Sequence, residues 1–82
     1  MAGKQKLKPK GGPTEIDRHV GSRLCQRRLQ LNLSTICVAA HAGVSWQQLR
    51  KYETGINRVS AGMLWDLSKI LNVSISYFFR GL

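Results

Sequence analysis

The sequence predicts an all-α fold, a compact five-helix domain with a helix-turn-helix at its centre. Three observations carry this. Apolar residues recur at helical spacing from Val20 to Leu71, and no stretch alternates with period two between hairpin turns. Hydroxyl residues suited to capping, Thr14, Ser34, Ser45 and Ser60, stand just before the helical stretches. Two short segments meet across Gly43-Val44-Ser45, the spacing of two helices joined by a tight turn.

Thr14 followed by Asp17 forms a capping box with the shorter acid, so a first helix starts at Glu15. Val20, Leu24 and Leu31 give it one apolar face, and Asn32 is its stop. Ser34 caps a second helix, Thr35 to Ala42, with Val38, Ala39 and Ala42 inward. Gly43 ends it in the left-handed conformation. Ser45 caps a third helix, Trp46 to Thr54, ended by Gly55. Ser60 caps a fourth, running to about Leu71 with Leu64, Leu67 and Leu71 on one face, and Ser74 opens a fifth that ends near Phe79. No internal repeat is present.

A chain of 82 residues holds one modest core and no separate catalytic domain. The formal charge of +9 on so few residues points to a polyanion, nucleic acid before anionic membrane. Residues 1–14 carry Lys4, Lys6, Lys8 and Lys10, no acid, two prolines and three glycines, and read as a flexible basic arm. Residues 15–82, with nine bases and four acids, read as the folded unit. The arm is expected to attract phosphate without reading sequence; its bland alternative is a solubilising tail. No apolar run approaches the ~20 residues of a membrane span and no leader pattern opens the chain, so a cytoplasmic protein is expected. Cys25 and Cys37 have neither the number of a disulfide framework nor the spacing of a zinc site, and are read as free thiols.

The functional motif lies in TICVAAHAGVSWQQLRKYETG, residues 35–55. Ala39 must be small where the third helix crosses the second, Gly43 supplies a positive φ, and Leu49 and Tyr52 anchor the third helix. The stretch from Arg28 to Gly55, with its small residue, turn glycine and Tyr52-Glu53-x-Gly55 ending, resembles the phage-repressor and Cro-like (XRE-type) helix-turn-helix family of bacterial and phage transcription regulators. The likeness extends through SAGMLWDLSKILNVS to Phe79, covering roughly residues 15 to 80. It implies a lambda-repressor-like DNA-binding domain. It also implies that Asn57 and Arg58, in the loop after the third helix, lie along the sugar-phosphate backbone. Thr35 and Ser45 join this phosphate-contacting set, although the family usually has Gln where this chain has Thr35. Similar proteins pair an arginine late in the first helix with a glutamate ending the third. Arg28 and Glu53 occupy those positions and are expected to form a partly buried salt bridge.

The third helix can also be read without the resemblance. At about 100° per residue, Gln47, Arg50, Lys51 and Thr54 fall opposite Leu49 and Tyr52, with Trp46 on the flank. Arg and Lys donate to guanine O6 and N7, and Gln bonds adenine N6 and N7. The expected base contacts are therefore Gln47, then Lys51 and Arg50, then Trp46. A solvated charged surface is the alternative for Arg50 and Lys51; for Trp46 it is packing against the second helix or covering Val44.

The fourth helix leaves Met63 and Ile70 on one flank, and Tyr77, Phe78 and Phe79 crowd the C-terminus. Met63, Ile70, Tyr77 and Phe79 are read as a homodimer interface, whose two-fold symmetry would set two third helices one DNA turn apart on a palindromic operator. The alternative is that Phe78 and a neighbour close the core of a monomer. The reading is thus a sequence-specific regulator, a repressor, on double-stranded DNA. A protein-interaction or assembly module reusing the fold is the competing class, and the polar face of Gln47, Arg50 and Lys51 favours DNA. Two distant histidines and four acids offer no catalytic set, so no enzyme, cofactor, metal or small-molecule ligand is expected.

Overall fold

Thr14 opens the first helix with reciprocal bonds. Its Oγ1 accepts from the Asp17 amide at 3.4 Å, while Asp17 Oδ2 accepts from the Thr14 amide at 2.7 Å. The helix so capped, α1 (Glu15–Gln30), is the first of four in a computed structural model that describes residues 13–82. α2 (Thr35–Ala42), α3 (Trp46–Glu53) and α4 (Ala61–Ile70) follow, and a 3-10 helix, Ile75–Phe79, ends the succession. All regular structure among the described residues is helical. Lys4, Lys6, Lys8 and Lys10 lie outside them.

Serine hydroxyls cap the next three helices. Ser34, Ser45 and Ser60 accept from the amides of Cys37, Gln48 and Met63 at 3.0, 3.1 and 3.1 Å, each satisfying a donor that the helix cannot. α2 stops at Gly43, whose φ of 73° lets the Val44 amide turn back to the Ala39 carbonyl at 3.0 Å. That turn sets α3 across α2. α3 ends one residue earlier than expected, with Thr54 as its C-cap.

The expected fifth helix is not a fifth α-helix. Ser74 makes no side-chain cap, because its hydroxyl is engaged with that of Ser76 at 2.9 Å. Backbone bonds here span three residues, from the Tyr77 amide to the Ser74 carbonyl and from the Arg80 amide to the Tyr77 carbonyl. Five residues offer too few four-residue bonds to offset nucleation, and the tighter 3-10 winding suffices to put Phe78 into the core.

Each helix contributes to one core. Val20 and Leu24 come from α1, Val38 and Ala39 from α2, Leu49 from α3, and Leu64 and Leu67 from α4, with Leu71 and Phe78 closing the bottom. Leu49, with half-buried Tyr52 packed beside it, holds the inner side of α3, which leaves its other side exposed.

Candidate nucleic-acid interface

α3 divides sharply by face. Leu49 is fully buried and Tyr52 half-buried, whereas Gln47, Arg50, Lys51 and Thr54 are exposed and Trp46 is 50% exposed. Thr54 spends its hydroxyl locally, donating to the Arg50 carbonyl at 3.0 Å. Among the described residues, Gln47, Arg50 and Lys51 make no side-chain hydrogen bond or ion pair, so their donors all face outward. Thr35 is half-buried at the start of α2, and Ser45 is exposed with its oxygen committed to the cap.

The base of α3 is tied to α1. Arg28 Nε donates to Glu53 Oε2 at 2.6 Å and Nη2 to Glu53 Oε1 at 3.1 Å, a two-pronged pair with both residues buried. Arg28 Nη1 also donates to the Leu33 carbonyl at 2.9 Å, so one guanidinium joins α1, the α1–α2 connection and α3. The Glu53 carboxylate beside it raises the Arg28 pKa further. Burial, with Glu53 nearby, pushes the Cys25 thiol up, which keeps it protonated and weakly nucleophilic. Gly21 lies where α1 meets the end of α3: a Cβ there would stand 2.2 Å from the Tyr52 carbonyl oxygen.

The loop after α3 is held at both ends. Gly55, at φ 77°, packs on the α1 backbone, where an added Cβ would meet Arg18 Cα at 2.7 Å. Asn57 donates its amide to the Lys51 carbonyl at 3.1 Å and its Nδ2 to Gln48 Oε1 at 3.5 Å. Arg58 Nε donates to Asp17 Oδ1 and Oδ2 at 3.0 and 3.2 Å, while its side chain stays 57% exposed. Asp17 therefore does two jobs, capping α1 and orienting Arg58. Only the first was visible in the sequence, since the partners lie 41 residues apart.

Arg58, and after it Thr14, hold the Asp17 carboxyl below its usual pKa against the opposing effect of burial. A depressed folded-state pKa contributes stability that is present above the unfolded value, about 3.8, and lost as pH falls through the folded one. Asp17→Asn is accordingly expected to melt below the wild type at pH 7, with the two melting temperatures drawing together as pH falls below the ordinary carboxyl range. Thermal melts across pH check this. A gap of constant size would remove Asp17 titration from the account.

Two other α1 arginines are committed within the fold. Arg23 Nε donates to the Tyr77 carbonyl at 2.9 Å with its guanidinium 3.9 Å from the Tyr77 ring centre, and Arg27 Nε donates to the Leu71 carbonyl at 2.9 Å. Met63, Ile70 and Tyr77 are half-buried against the core, and Phe79 is 38% exposed. The Tyr77 hydroxyl is buried without a hydrogen-bond partner among the described residues. Groups of histidine, cysteine and acid able to hold a metal do not occur among those residues, and none of their helices is long and apolar enough to cross a membrane.

Comparison with known proteins matches residues 26–78 to the helix-turn-helix family. The chain is 51% identical over 67 residues to an uncharacterized transcriptional regulator in the ATPase CF(0) region of Rhodospirillum rubrum, covering 82% of this chain and 62% of that protein. It is 49% identical over 68 residues to an uncharacterized HTH-type transcriptional regulator of Sinorhizobium fredii, covering 83% and 48%. The chain thus spans about half to three-fifths of the length of these relatives. Among solved structures, the clp gene regulator ClgR of Corynebacterium glutamicum superposes with a TM-score of 0.77 at 21% identity, over 82% of this chain and 71% of that one. Hydroxypropylphosphonic acid epoxidase from S. wedmorenis shares the fold over 76% of this chain and 33% of its own, with a TM-score of 0.71 at 19% identity.

Proposed function

The chain belongs to the helix-turn-helix family of transcriptional regulators, and from that premise we propose that it binds double-stranded DNA in a sequence-specific manner by laying α3 in the major groove. The observation that carries the reading is the outward face of α3, where Gln47, Arg50 and Lys51 keep their donors uncommitted beside an inner face fixed by Leu49. These three read base edges. Thr35, Ser45, Asn57 and Arg58 contact phosphate, with Asp17 aiming Arg58 and Gln48 bracing Asn57. Pro13 lines the same groove as Gln48, Asn57 and Arg58, and Lys4, Lys6, Lys8 and Lys10 are assigned a salt-dependent attraction to phosphate.

The regulator acts as a repressor on a palindromic operator, as a homodimer through Met63, Ile70, Tyr77 and Phe79. Phe79 is the most exposed of the four. Selection of bound sequences from random duplex DNA tests the whole reading: the expected product is a palindrome with half-sites one helical turn, about 34–36 Å, apart. Lys51→Ala and Gln47→Ala should each cost about 1–3 kcal/mol on the selected site and relax the preferred base there. No enrichment over random DNA would replace this reading with a protein-interaction module.

A further inference from the structure

Trp46 differs in kind from its neighbours on the outward face of α3. Gln47, Arg50 and Lys51 are hydrogen-bonding side chains, whereas an indole offers one N–H donor and a broad apolar ring. The residue is 50% exposed, and it stands at the first position of the helix, where Ser45 fixes the leading turn through its 3.1 Å bond to the Gln48 amide. Residues at that end of a recognition helix go deepest into the groove. Trp65 is as exposed, at 55%, but Lys69 Nζ lies 4.3 Å from its ring centre. Trp46 has no such partner among the described residues.

In the major groove, adenine, guanine and cytosine present donors and acceptors, and thymine alone presents a methyl group. We propose that Trp46 is a specificity-determining residue that packs its indole on a thymine 5-methyl group in each half-site. The proposal rests on α3 entering the major groove, as set out above. It assigns the four outward side chains of α3 to two kinds of reading: Gln47, Arg50 and Lys51 take hydrogen-bonding edges and Trp46 takes a methyl.

The test uses the full chain and duplexes obtained by selection, with each thymine in turn replaced by deoxyuridine. This removes the methyl group and leaves base pairing and the O4 acceptor intact. Wild-type protein should bind about three- to fivefold more weakly when one particular thymine of a half-site is replaced, the effect of losing one buried methyl contact. Trp46→Ala, checked for an unchanged melting curve, should bind the thymine duplex more weakly and be indifferent to uridine at that position. Trp65→Ala should keep the full uridine effect. A selected half-site without thymine, no uridine effect at any position, or the same uridine effect in Trp46→Ala each overturns the methyl contact while leaving DNA binding in place. A chain that enriches no sequence overturns both readings.

Discussion

Arg28→Ala is expected to destabilise the domain by about 3–5 kcal/mol, because it strands the Glu53 carboxylate in a buried position without its partner. For a domain of this size that corresponds to a melting temperature lower by more than about 12 °C. The loss is larger than a single ion pair suggests. The same guanidinium satisfies the Leu33 carbonyl at 2.9 Å, so the α1–α2 connection loses a bond as well. Replacing both partners by apolar residues of similar size, Arg28→Met with Glu53→Leu, should recover much of the stability, since desolvation offsets much of the attraction in a buried pair. It should not recover DNA affinity, because packing fixes the angle of α3 less strictly than two parallel hydrogen bonds do. Thermal melts of the single and double variants, with binding to the selected duplex, separate the two effects. An unchanged melting curve for Arg28→Ala would remove the pair from the stability of the fold.

The features legible in the sequence were those decided locally. Hydroxyl caps at Thr14, Ser34, Ser45 and Ser60 set helix starts within a few residues of themselves, and the face of α3 follows from its period alone. Long-range commitments were not legible. Nothing near Arg23 or Arg27 announces that they bond the Tyr77 and Leu71 carbonyls, 54 and 44 residues away. Asp17 reads as a cap until Arg58 is folded beside it. Arg23, Arg27 and Arg28, three of the nine bases of residues 15–82, are thus committed within the fold, so the +9 overstates the charge available to phosphate. The fifth helix misled because an N-terminal serine and apolar residues suit a 3-10 turn as well as an α-turn, and only Phe78 has to reach the core.

Gly21 also looked ordinary in the sequence, and its substitution is the sharper test of how α3 is set. In an exposed helix, alanine is better than glycine by about 1 kcal/mol. Gly21→Ala is nevertheless expected to destabilise by about 3 kcal/mol or more, since the new Cβ would stand 2.2 Å from the Tyr52 carbonyl oxygen and 2.7 Å from that of Glu53. Both obstacles are backbone atoms, which cannot swing aside as a long side chain can. α1 and the end of α3 must therefore separate, which stretches the Arg28–Glu53 bonds and tilts the face bearing Gln47, Arg50 and Lys51. DNA affinity should fall with stability. Gly62, in α4, is the internal control: nothing lies within 4 Å of its added Cβ, so Gly62→Ala should stabilise by about 0.5–1 kcal/mol and leave binding unchanged. Equal melting temperatures for the two alanine variants would mean that α1 and α3 do not meet backbone to backbone, and that the orientation of the reading helix depends on Leu49 and the ion pair alone.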